Sequence, residues 1–184
     1  MGIKEKIVLD IPIKLKGSAW IPAGARYEKS YELNSLALLA IEKALASELG
    51  WEKTLAIVRG TWKKMAREGV KKIIHEFNLK GNGADTVMKI FSILAILLGF
   101  KHKITKLTKD EAIGVIYSCS HWNAMVELNI EKIWRCDLIH MDFVQAAIEE
   151  INPELEAILE SSIPQGDPEC KMIIRRKAIA KTTT

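Results

Sequence analysis

No stretch of this chain is apolar for the roughly 20 residues that a membrane-spanning helix needs. The most apolar segment, residues 86–100, is shorter and is interrupted by Lys89. No membrane partner is therefore expected. Cysteine is scarce: three occur among 184 residues, an odd number. No apolar run follows Met1-Gly2-Ile3-Lys4-Glu5-Lys6 to make a secretory signal. A disulfide framework is thus not expected, and reduced thiols in a cytoplasmic protein are. Internal repeats, low-complexity segments and the short zinc-finger and RNA-recognition signatures are also missing. The charge excess is small, +4. Much of it comes from Lys171, Arg175, Arg176, Lys177 and Lys181 in a C-terminal stretch without acidic residues. Such a tail can attract phosphate, but a solvated terminus is the expectation, with no nucleic-acid partner.

What is present is an ordinary globular composition, 48% apolar, in a length that suits one domain with a core of its own. Residues 7–15 alternate apolar and polar as a strand does, and Pro12 pushes that strand to an edge or a subunit contact. It would close the sheet edge or exchange with a second subunit, making a homodimer. Residues 1–31 therefore read as a strand-and-loop arm, and 32–184 as one domain with a helical half, 32–100, and a sheet-rich half, 101–178.

In the helical half, Asn34 can cap a helix carrying Leu38, Leu39, Ile41, Leu45 and Leu49, ended by Gly50. A second helix over 51–77 turns Leu55, Val58, Trp62, Met65, Ile73 and Phe77 inward. Its Lys63, Arg67 and Lys71 are expected on a solvated face. Gly81-Asn82-Gly83 breaks the chain, and Asp85 can cap a third helix over 86–100, buried within a helical layer. In the second half, 103–108 and 113–126 read as strands joined at Lys109-Asp110-Glu111. A helix over 135–151 stops at Asn152-Pro153, and 155–162 and 169–176 form a terminal hairpin. The fold class is α+β: a helical layer on one face of an antiparallel sheet of about four strands.

The chemistry-bearing residues gather late. Cys136 and His140 are i, i+4 on a helix and share a face. Cys119 and His121 are i, i+2 on the expected strand and share a face of the sheet. Cys170 opens the last strand. Thiolates with imidazole would suit zinc or iron, with Cys119, His121, Cys136, His140 and Cys170 as candidate ligands. A thiolate beside an imidazole is equally a nucleophile, with Cys136 and His140 reacting and Asp167 as the orienting carboxylate. The same residues can also be structural, since cysteine packs as a small hydrophobe. Tyr117, Trp122 and Trp134 are candidates for lining a planar ligand's pocket, or for core packing.

A helix opening with Cys136 and carrying His140 leads through Asn152 to Gly166-Asp167-Pro168-Glu169-Cys170-Lys171-Met172-Ile173-Ile174. This arrangement resembles the C-terminal half of the L-2-amino-thiazoline-4-carboxylic acid hydrolase-like proteins. More distantly it resembles the vinyl-reductase-type small-molecule-binding domain, whose sheet ends in a similar Gly-Asp-x-x-Cys hairpin. The likeness spans about residues 100–176; the helical half fits in layout. The hydrolase family implies ring opening of a cyclic C=N compound by water, giving N-carbamoyl-cysteine, and carries over to Cys136, His140, Asp167 and Cys170. The vinyl-reductase-type domains of aromatic-sensing regulators imply a zinc site with one more cysteine ahead of the hairpin glycine. Here that stretch is Glu160-Ser161-Ser162, leaving Cys119, His121 or His140 to complete a metal sphere. The expected function is a hydrolase of a small thiazoline-carboxylate-type compound. The alternative is a small-molecule-binding sensor or carrier with structural cysteines.

Overall fold

A computed structural model describes residues 23–178 of the chain. The expected strand over 7–15, and the dimer contact built on it, lie outside the described residues. The elements run α1 (Ala23–Leu49), α2 (Trp51–Glu76), α3 (Ala84–Leu97), β1 (Lys101–Leu107), β2 (Glu111–Ser118), α4 (Ser120–Glu127), α5 (Cys136–Ile151), β3 (Leu155–Ser161) and β4 (Cys170–Arg176). The four strands form one antiparallel sheet in the order β1-β2-β4-β3. This is the expected α+β fold. No helix among the described residues is long and apolar enough to cross a membrane.

Strand alternation decides which side the helices cover. Ala112, Met172, Ile174 and Leu155 face them and join Val70, Ile73, Val87, Ile90, Phe91, Val144 and Ile148 in the main core. Each large aliphatic side chain buried there stabilises the fold by about 1.5–3 kcal/mol. A second, smaller core joins α1, α2, α4 and the start of α5 through Leu39, Val58, Met125, Ile130, Trp134 and Ile139.

Three sequence expectations are corrected. α1 begins at Ala23, so 23–31 is helix rather than loop, and Asn34 lies exposed inside the helix instead of capping it. Good helix formers on either side of Asn34 carry the helix through it. The buried stripe of α1 also runs through Leu39, Glu42 and Ala46, leaving Ile41 66% exposed. In α2 the inward stripe passes through Thr54, Val58, Ala66, Val70 and Ile73. Met65 and Phe77 fall off it and are exposed.

Lys63, Arg67 and Lys71 keep the expected solvated face, at 41, 49 and 65% exposed, and there meet acids of α5. Arg59 and Lys63 both bond Asp142, Arg67 reaches Glu149 at 3.4 Å, and Lys71 reaches Glu150 at 2.9 Å. Residue numbers rise together along the stripe, so the two helices run in the same sense. The C-terminal cations are paired likewise: Lys171 with Glu160, Arg175 with Glu156, and Arg176 with Asp110 and Glu154. Exposed pairs of this kind contribute about 0–1 kcal/mol each. Finally, α3 is buried along most of its length against the sheet, but its end emerges at Ile96, Leu97 and Leu98, all exposed.

Gly83 precedes α3, where the Ala84 N–H donates to the Lys109 carbonyl at 2.8 Å and ties the β1–β2 turn to the helix. A Cβ at Gly83 would stand 2.9 Å from that same backbone oxygen. Gly83→Ala is therefore expected to cost about 1–3 kcal/mol by overpacking, read as a lowered melting temperature; an unchanged one would show the turn can give way.

Candidate functional site

The expected strand over 113–126 is overturned where it matters most. β2 ends at Ser118 and α4 takes over at Ser120, so His121 is helical and Cys119 is its N-cap. The Cys119 Sγ accepts the Trp122 N–H at 3.4 Å, and the Ser120 hydroxyl donates to the Leu98 carbonyl at 3.0 Å. Cys136 is the first residue of α5, and Cys170 opens β4, its Sγ accepting the Ile163 N–H at 3.3 Å. The topology brings the three sulfurs within electrostatic range: Cys119 and Cys170 both raise Cys136.

Burial governs their protonation. It pushes the Cys119 thiol up to about 11, against the lowering effect of the backbone N–H groups of Trp122 and His121. Cys136 is pushed up further and Cys170 in the same direction, again chiefly by burial. Burial, with His140 nearby, lowers His121 to about 4, and burial lowers His140 as well. At neutral pH this set consists of protonated thiols and uncharged imidazoles. The His121 ring meets Trp62 edge-on at 6.4 Å, and Trp62 meets Phe143 at 5.7 Å.

Among the described residues no three His, Cys, Asp or Glu side chains are grouped so as to hold a metal ion. Cys119, His121, Cys136, His140 and Cys170 are thus not gathered as a ligand set in this arrangement. Asp167 shapes the β3–β4 turn, its Oδ2 accepting the Ser162 N–H at 2.7 Å. Tyr117 is 52% exposed, on the strand face turned away from the helices.

A cavity of about 420 Å³ is lined by Trp122, Glu131, Lys132, Trp134, Arg135, Asp137, Pro164 and Gln165. The cysteines and histidines are not among its lining residues, but each cysteine is tied to the wall through a neighbour. Cys136 sits between Arg135 and Asp137, Cys119 caps Trp122, and Cys170 bonds the residue before Pro164. Asp137 is nearly buried, and Arg135 holds it through hydrogen bonds of 3.0 and 2.8 Å. That guanidinium keeps the Asp137 carboxyl below the ordinary carboxylate range. Two buried polar atoms of the wall, Glu131 Oε2 and Trp134 Nε1, have no partner. The sequence reading named Trp122 and Trp134 but not the charged residues. The signal for them was the run Glu131-Lys132-Ile133-Trp134-Arg135-Cys136-Asp137, four charges packed around a tryptophan and a cysteine at a helix start.

The fold is an α+β domain of a kind seen in solved structures. One is a trafficking protein particle complex subunit 3 from Naegleria fowleri, covalently bound to palmitic acid. It is 16% identical, with a TM-score of 0.54, over 80% of this chain and 97% of that one. Another is the phenol-responsive sensory domain of the transcription activator PoxR, with phenol. It is 12% identical, with a TM-score of 0.56, over 77% of this chain and 74% of that one. At such identities the likeness is one of fold. No curated relative matches the chain. The chain belongs to the L-2-amino-thiazoline-4-carboxylic acid hydrolase family, whose profile matches residues 30–174. The match takes in the helical half as well as the C-terminal half.

Proposed function

We propose that the protein hydrolyses a small cyclic C=N compound of the thiazoline-carboxylate type in this cavity. The observation that carries the reading is that wall: charged and tryptophan side chains in a chain of the hydrolase family, with Cys136 between two of its lining residues, Arg135 and Asp137. A ring-bearing carboxylate suits such a lining better than a greasy ligand does.

The roles follow from protonation. A protonated thiol is a poor nucleophile, so attack by the Cys136 sulfur is disfavoured. An uncharged imidazole can take a proton, and His140 lies one turn along α5 from the cavity-lining Asp137. In the proposed reaction His140 accepts a proton from water as its oxygen bonds to the C=N carbon. The carbon–sulfur bond of the ring then breaks, the sulfur leaves with the bonding pair, and the imidazolium returns its proton to it. The second water proton goes to the ring nitrogen, leaving a carbonyl and a free thiol. Cys136 stays a neutral thiol between the lining residues Arg135 and Asp137, and Asp167 positions the turn that carries Pro164 and Gln165.

The test is incubation of the full chain with 2-amino-2-thiazoline-4-carboxylate, with the ring-opened product measured by mass spectrometry. Product is expected with the native protein, and His140→Ala is expected to lower turnover about 10²–10⁴-fold. The second reading, a ligand sensor, draws on the uncharged state of the thiols and imidazoles, since a sensor needs enclosure without an ionised reactive group. Binding without product would end the hydrolase reading in the sensor's favour.

A further inference from the structure

The charges on the cavity wall are unequally engaged. Arg135 and Asp137 neutralise one another through two hydrogen bonds. Glu131 and Lys132 have no ion pair among the described residues, yet both line the cavity, and one Glu131 carboxylate oxygen is buried without a hydrogen bond. An unsatisfied buried acceptor costs free energy that a bound donor recovers. The Trp134 indole N–H poses the same problem with the opposite sign: the residue is 2% exposed, lines the cavity, and its nitrogen has no partner. The wall thus offers one free anion, one free cation, one orphaned donor and a flat indole surface from Trp122.

We propose that Glu131 and Lys132 are specificity residues that select a small planar zwitterion, Glu131 taking a cationic amidine or amino group and Lys132, with the Trp134 N–H, taking a carboxylate. The inference rests on the reading that this cavity is the ligand site. It goes beyond that reading by assigning each end of the ligand to a residue. An apolar phenol-like or fatty ligand would leave both charges and the indole N–H unsatisfied, so the same wall discriminates against such molecules. Against a ligand with only one charge, the unmatched wall residue forfeits a charge-assisted hydrogen bond, a difference of about tenfold or more in affinity.

The test uses the full chain and three probes in calorimetry: 2-amino-2-thiazoline-4-carboxylate, 2-thiazoline-4-carboxylate without the amino group, and 2-amino-2-thiazoline without the carboxylate. The first is expected to bind about tenfold or more tightly than either of the others. Glu131→Gln is expected to weaken the two amino-bearing probes and leave the carboxylate-only probe unchanged. Lys132→Met, at an exposed position that the fold does not depend on, is expected to do the reverse. Equal affinities for the three probes, no binding of any, or a uniform loss in both variants would overturn the proposal. Zwitterion-selective binding without turnover keeps it while ending the hydrolase reading. Turnover whose KM and kcat both ignore Glu131→Gln ends it while keeping the hydrolase.

Discussion

Glu42→Gln is expected to raise the melting temperature by several degrees at about pH 8 and to change it little near pH 4. Glu42 sits on the inner stripe of α1, 6% exposed, accepting a hydrogen bond from Trp62 while its Oε2 has no partner. Burial raises its carboxyl from 4.5 to about 7, against the smaller lowering effect of Trp62. Between those values the folded protein keeps a proton that the unfolded chain releases. Its stability is therefore full below the unfolded value and is lost as pH rises through the folded one, by roughly 2–3 kcal/mol. Glutamine has no charge to desolvate and escapes that loss.

His121 works in the opposite direction. It is held neutral down to about 4, whereas the unfolded imidazole charges below about 6.5, so its contribution is present above that value and lost as pH falls. The two dependences overlap between about pH 4.5 and 6.5 and largely offset one another, giving the native protein a shallow profile there. Glu42→Gln removes one and should expose the other as a steady loss of stability toward acid. Thermal melts across pH decide the matter: parallel curves for native and variant protein would show that Glu42 is already ionised when folded.

Much of the fold was legible because punctuation and periodicity agreed. Gly50 and Asn152-Pro153 each end an element where the sequence said they would, and Gly81-Asn82-Gly83 separates α2 from α3. Asn152 does more than stop α5: its Oδ1 accepts the Glu154 N–H and its Nδ2 donates to the Asn82 carbonyl, joining two loops. The failures have local causes. Val115-Ile116-Tyr117 reads as strand and hides the switch at Cys119. The eight-residue α4 is started by a sulfur cap and a Ser120 hydroxyl bond to Leu98, neither of which has a sequence signature. Helix phase failed at Ile41 and Met65 because apolar type alone does not say which neighbour a face meets. At Glu42 the rule ran backwards, with a carboxyl buried where a leucine would be expected. The cavity was illegible for a different reason. Its wall comes from residues around 122, from 131–137 and from 164–165, and only the tertiary fold brings these together.

The thiols are expected to react slowly with alkylating agents until the solution is strongly basic. Cys119 has its thiol pushed from 9.0 up to about 11. At about pH 8 its thiolate share is then about a hundredfold below that of an ordinary thiol, and the greater basicity of the thiolate recovers about tenfold of the rate. A net slowing of about tenfold is expected, with the pH–rate profile bending near 11. Cys136 is shifted further in the same direction, since Cys119, Cys170 and Asp137 all add to its burial. Site-resolved mass spectrometry of iodoacetamide-treated protein reads each position separately. The mechanistic consequence is that Cys136→Ser should cost about 1–3 kcal/mol of stability through a poorly satisfied hydroxyl while keeping turnover within about tenfold, whereas His140→Ala should not keep it. Fast labelling of Cys136 with a profile bending at or below about pH 8 would reverse this assignment. It would require a thiolate stabilised by something other than its present neighbours, and it would return the first chemical step to the sulfur.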